Sequence, residues 1–200
     1  MPSLATRLLR SWATLLVASA ALAVFAFPSL ADALLYRRTE LAAGQLWRLW
    51  TGHLVHFGWQ HLAADLAVFL AAGIWLESIT PRTARVFLAL TPAAISGLLF
   101  LADPQLAFYG GLSGVAVGVL VLLALVQLRC DRASPRWFWP AVLALVVLKV
   151  GSEAFSAAPL VASFGPDIKV STLAHLGGIA CALLAWPLAR REAMRIGSAR

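Results

Sequence analysis

Charged side chains are scarce in this chain. They make up 12% of its 200 residues, against 61% hydrophobic ones, and the mean hydropathy is +0.84. A soluble domain carries about a quarter charged residues. A chain of this length has too little interior to hide so much apolar surface from water. The shortage of charge therefore excludes an ordinary water-soluble globule and leaves lipid as the solvent. Cysteine is nearly absent as well. Cys130 lies at a basic loop edge and Cys181 inside an apolar run, with no CxxC or metal-ligand spacing, which argues against a disulfide framework. Acidic residues are few beside the basic ones, so the net charge is +7 and the pI about 10.7. Such a balance can indicate nucleic acid. Here the arginines sit in short clusters between apolar runs and no soluble basic domain is left over, so the reading is no nucleic acid. There is no internal repeat, low-complexity tract or soluble domain.

What the chain has instead is long, unbroken apolar runs. In lipid every backbone polar group must pair internally, so only helices and closed barrels span. Continuous rather than alternating hydrophobicity selects helices. Six segments approach the roughly 20 residues needed to cross hydrocarbon: 12–31, 59–76, 84–102, 110–128, 137–155 and 170–189. The expectation is an all-α polytopic membrane protein, a six-helix bundle forming a single domain over residues 1–200, with the lipid bilayer as its partner. Lys and Arg mark cytoplasmic segments. With the N-terminus inside, that side holds Arg7, Arg10, Arg82, Arg85, Arg129, Arg132, Arg136, Arg190, Arg191, Arg195 and Arg200. The other side holds only Arg37, Arg38, Arg48 and Lys169. This bias predicts N-in, C-in. Arg7 and Arg10, an apolar run and then Ser29-Leu30-Ala31 also fit a signal peptide with its cleavage site, which would not change the orientation of the rest. The longest connection, 33–58, carries Trp47, Trp50 and Phe57, with Trp59 just beyond it. Tryptophan prefers the headgroup region, so this loop is expected at the outer interface.

Polar residues inside the spans point to chemistry. Gly111-Leu112-Ser113-Gly114 places a serine among glycines at the start of the fourth span. Alone, Gly114 and Gly118 would read as a small-xxx-small packing stripe. His175 enters the sixth span a few residues in, where an imidazole is costly without a partner. Ala174, Gly178 and Ala182 form a second small-residue stripe, so the two helices can pack closely. At about 1.5 Å per residue, Ser113 and His175 reach a similar depth below the outer surface. A histidine so placed can take a serine proton and return it to a leaving amine. His61, near the same depth on the second span, with Asp65 one turn on, offers a donor for a developing oxyanion, as does the backbone N–H of Ser113. His53 and His56 read as interfacial polar residues. Lys149 and Glu153, spaced i, i+4, read as a structural ion pair on the fifth span.

In order, these pieces resemble the rhomboid family of intramembrane serine proteases. Trp47-Arg48 is similar to its Trp-Arg motif. His56, His61 and Asp65 are similar to its His-rich second helix, and Glu77 to the acid at that helix's inner end. Gly111-Leu112-Ser113-Gly114 resembles the nucleophile motif, and His175 with Gly178 the base helix. The resemblance covers nearly the whole chain. It implies Ser113 as nucleophile and His175 as base, with His61, Asp65, Gly111 and Leu112 forming or supporting the oxyanion hole. It implies no metal or organic cofactor. It also implies transmembrane protein substrates and a multi-pass place in a bacterial inner membrane, with the active site facing the periplasm. Two positions depart from the common pattern. Asp65 stands where Asn is frequent, either protonated as a donor or orienting His61. Val117 stands where an aromatic often lies under the histidine. The compact form, with Gly52-His53, Lys149 and Glu153, resembles the rhombosortase branch, whose implied substrates carry C-terminal Gly-Gly anchors. Other classes are a proteolytically inactive relative that binds transmembrane segments, and a small transporter. The polar residues gather toward one face rather than crossing the bilayer, which disfavours the transporter.

Overall fold

In the computed structural model, residues 8, 10–130, 134–155 and 171–198 are described. The expected outer loop over 159–169 and the charges Arg7, Arg132, Lys169 and Arg200 lie outside them. Among the described residues, five helices are long and apolar enough to cross a bilayer: α5 (Trp59–Ile79), α6 (Pro81–Ala102), α7 (Ser113–Cys130), α8 (Phe138–Phe155) and α9 (Thr172–Ser198). The protein is thus a multi-pass, helical membrane protein.

The expected first span, 12–31, is not one straight helix. It divides into α1 (Trp12–Ala26) and α2 (Pro28–Leu34), which meet at 116°. Pro28 is the cause. The residue before a proline is pushed out of the helical region, and Phe27 accordingly sits at φ −124°, ψ 92°. The fourth segment also differs from its expected bounds of 110–128. Residues 110–112 are not helical, and α7 begins at Ser113 itself.

Helix α7 is the axis of the bundle. Two thirds of its apolar window is buried, against 17% for α8 among the described residues. α9 lies against α7 at the distance that glycine alone permits. A Cβ on Gly114 would meet the Ala174 carbonyl oxygen at 2.9 Å, and one on Gly118 the Gly178 oxygen at 2.8 Å. Close backbone approach is the main source of helix attraction where lipid removes the hydrophobic drive.

Carboxylates cap helix starts at the end of the bundle that carries Arg82, Arg85, Arg190 and Arg191. Glu77, fully buried near the end of α5, accepts from Ala13 N (3.3 Å), Thr14 N (2.9 Å), Thr14 Oγ1 (2.9 Å) and Arg85 Nε (2.9 Å). Glu192 does the same for α6 through Arg82 N and Thr83 N, both at 2.9 Å. Both place negative charge where a helix start leaves N–H groups unpaired.

At the opposite end the connection before α5 is compact. It contains β1 (Tyr36–Arg37), α3 (Arg38–Ala42), α4 (Arg48–Thr51) and a 3-10 turn over Gly52–Leu54. β1 pairs antiparallel with β2 (Phe108–Tyr109), in the register Tyr36↔Tyr109 and Arg37↔Phe108. Arg38 donates to Phe100 O (2.6 Å) and Asp103 O (3.1 Å), satisfying the last carbonyls of α6. Arg48 is buried and bonds Leu35 O and Gln45 Oε1. Trp47, Trp50, Phe57 and Trp59 are all exposed, as side chains meant for a headgroup layer would be. This pinned segment fixes what lies just before Ser113.

Candidate active site

The approach to α7 is shaped by glycine. Gly111 adopts φ +124°, a conformation L side chains rarely take. A Cβ there would also stand 2.8 Å from His61 Nε2. Tyr109 Oη donates to Gly111 O at 3.1 Å and steadies the turn. Tyr109 is itself held edge-on to Tyr36 and to His53. Ser113 then becomes the first residue of the helix, where a backbone N–H has no intrahelical acceptor.

His175 lies in the first turn of α9 and is fully buried. Its Nε2 is 3.0 Å from Ser113 Oγ. Its Nδ1 is 2.6 Å from Glu153 Oε2, near the end of α8. Lys149 Nζ donates to the other oxygen of that carboxylate at 2.5 Å. A carboxylate held by an ammonium is an acceptor, so Nδ1 carries the imidazole proton and Nε2 presents a lone pair to Ser113 O–H.

Helix α5 brings the third group. Asp65 Oδ2 lies 3.2 Å from His56 Nε2 and 3.4 Å from His61 Nε2, with all three residues buried. His56 Nδ1 donates to Leu54 O at 3.1 Å, since a carbonyl can only accept. Leu112 N donates to His56 Nε2 at 3.3 Å. The structure thus gathers the six residues expected at the site into two touching groups: Ser113 with His175, and His61, Asp65 and Gly111, joined to Leu112 through His56. Comparison with protein families matches the Rhomboid domain over residues 43–191. The chain belongs to the rhomboid family. Its members are intramembrane serine proteases. A search of curated proteins gave no match.

Three residues were read differently from the sequence. His53 and His56, expected at the interface, are buried at 1% and 6% exposure. His53 Nε2 sits 3.0 Å from both Pro92 O and Ser96 Oγ, tying the 3-10 turn to α6. Burial pushes its pKa down to about 4, against the opposing pull of its bonds to the Pro92 and Gly111 backbone. Burial likewise pushes the Tyr109 phenol up, with the Asp65 charge adding to it. Glu153, read as a partner of Lys149 alone, also reaches the rhomboid histidine. The local i, i+4 pair with Lys149 concealed this second contact. Two residues from the end of α8, Glu153 meets the fourth residue of α9 across the bundle.

His56, His61 and Asp65 have the side-chain types of a two-histidine, one-carboxylate metal site, with ligand atoms within 4.8 Å of one another. The Leu112 N–H pointing at His56 Nε2 is wrong for a ligating lone pair.

Proposed function

We propose that this rhomboid cleaves membrane-anchored proteins with Ser113 as nucleophile and His175 as general base. The observation that carries the reading is the 3.0 Å contact between Ser113 Oγ and His175 Nε2, on two helices locked together by glycine. Oγ attacks the scissile carbonyl as its proton passes to Nε2. The new Oγ–C bond forms, and the carbonyl π electrons move to oxygen. On collapse the C–N bond breaks, and Nε2–H gives its proton to the leaving amine. Water then hydrolyses the acyl-enzyme by the reverse use of the same base.

The oxyanion forms near the Ser113 N–H and His61, opposite a turn that Gly111 keeps open, with Leu112 N–H held beside it by His56. Asp65 acts by accepting from His61 Nε2 and so orienting that imidazole. Donors fixed before the reaction stabilise developing charge without reorganising. The topology we favour is six spans, N-in and C-in, with the site facing the periplasm of a bacterial inner membrane. The exposed tryptophans at the site end and the arginines at the other support it.

For substrate we favour the rhombosortase type, a C-terminal Gly-Gly anchor before a transmembrane tail. A helix shields its own carbonyls, and glycine lowers the cost of local unwinding. The test is cleavage of a Gly-Gly-tailed membrane reporter by the wild type, Ser113→Ala and His175→Ala at matched expression. Cleavage lost in both variants is expected, and a reporter with leucine in place of the glycines should be cut more slowly. Undiminished cleavage by Ser113→Ala would end the mechanism. Cleavage of a general transmembrane reporter in preference to the Gly-Gly one would end the substrate assignment alone.

A further inference from the structure

We propose that Glu153 is a positioning residue for His175, so that this rhomboid works with a Ser113–His175–Glu153 triad rather than a dyad. The inference rests on the serine-protease reading above and adds a third member to it.

Three observations carry it. The first is geometry: Ser113 Oγ, the two imidazole nitrogens and Glu153 Oε2 run in series at 3.0 and 2.6 Å, the linkage a hydrolytic triad requires. The second is burial. The Glu153 side chain is 5% exposed and that of His175 1%. A carboxylate inside a membrane protein is expensive and is by default a candidate for function, its partner included. Lys149 pairs with Oε1 and leaves Oε2 to the histidine. The third is the helix that carries it. α8 buries only Trp139, Val146 and Val150 among its apolar side chains, yet the Glu153 side chain is turned inward. The residue one turn after Ser113 does not hold the ring, since Val117 is aliphatic.

The chemical role follows. Glu153 accepts from Nδ1–H and keeps the proton off Nε2 in the resting enzyme. When Nε2 takes the serine proton, the carboxylate faces the imidazolium and stabilises it, without itself taking the proton. Lys149 holds the carboxylate in place as an acceptor.

The test uses the full chain, purified in bicelles. Wild type, Ser113→Ala, Glu153→Gln and Glu153→Asp are compared for kcat and KM on a cleavable transmembrane reporter and for thermal unfolding. The 15N-labelled histidine spectrum is recorded without substrate. Glu153→Gln is expected to lower kcat by a factor of about 10²–10⁴ with KM within a few-fold, because the amide no longer enforces one tautomer. Glu153→Asp should recover part of the loss. The low-field Nδ1–H resonance of His175 should be present in the wild type and lost in Glu153→Gln. A merely structural glutamate would shift the unfolding temperature and leave the kcat-to-KM split and that resonance alone. Cleavage by Glu153→Gln within twofold of wild type, beside an inactive Ser113→Ala, would overturn the triad and spare the serine mechanism. Activity in Ser113→Ala would overturn the mechanism itself. The spectrum decides even where no reporter is cleaved: a wild-type chain without the low-field proton would refute the triad.

Discussion

Replacing Gly178 with alanine tests whether helix spacing sets the catalytic distance. The added Cβ would overlap the Gly114 carbonyl oxygen outright and press on Gly118 N at 3.2 Å. These are backbone atoms of a packed helix and cannot rotate away. To restore an ordinary contact of about 3.4 Å or more, α7 and α9 must separate by roughly 1 Å or more. Gly178 lies one turn after His175, and Gly114 follows Ser113. The separation therefore falls on the Oγ–Nε2 contact, stretching 3.0 Å to about 4 Å, beyond a hydrogen bond. A misplacement of about 1 Å reduces a reaction about 10²-fold, and overpacking destabilises by about 1–3 kcal/mol. The control is Gly97→Ala, where nothing lies within 4 Å of the added carbon. Reporter cleavage and thermal unfolding of the two variants are compared with wild type in one detergent. Gly178→Ala should lose about 10²-fold in rate, while Gly97→Ala stays near wild type. Full activity in Gly178→Ala would refute the argument that glycine sets the dyad distance.

Three further outcomes follow from other sites. Glu77→Ala strands Arg85 and the α1 N–H groups that the carboxylate holds, and should lower stability by on the order of 3 kcal/mol; an unfolding temperature like wild type would contradict the cap. His53 titrates near 6.5 when unfolded but at about 4 when folded, so its contribution is whole above about pH 6.5 and is lost as pH falls toward 4. The loss approaches about 3 kcal/mol, and His53→Gln should flatten that part of the stability-versus-pH curve. An unchanged slope would count against it. Asp65→Asn replaces one of two acceptor oxygens by a donor and should lower kcat by about tenfold or more, with KM little changed. Wild-type kcat in this variant would show that a plain amide serves as well as the carboxylate.

Much of this arrangement was legible in the sequence, for reasons that differ by residue. Apolar run length marked the helices because lipid leaves the backbone no other partner. The glycines around Ser113 and His175 pointed to one another because small residues are what let two helices approach. The bend at Pro28 was missed because the hydropathy of 12–31 is continuous while the backbone is not. The start of α7 was placed three residues early for the same reason: Gly110, Gly111 and Leu112 are as apolar as a helix, yet Gly111 at φ +124° ends any such run. His53 and His56 were read as interfacial polar residues because a short polar loop gives no periodicity from which to infer burial. Glu153 was hidden by Lys149. A local i, i+4 partner satisfied the charge on paper, and only the packing of α8 against α9 shows the second bond, to His175.

The most direct measurement of the central claim is the position of a fluorophosphonate adduct, mapped by mass spectrometry on the membrane-embedded chain. An activated serine attacks phosphorus as it would a carbonyl, and it needs its base to do so. The account predicts a single adduct, on Ser113, that is absent from Ser113→Ala and strongly reduced in His175→Ala. An adduct on another serine, or Ser113 labelling that persists undiminished in His175→Ala, would contradict it.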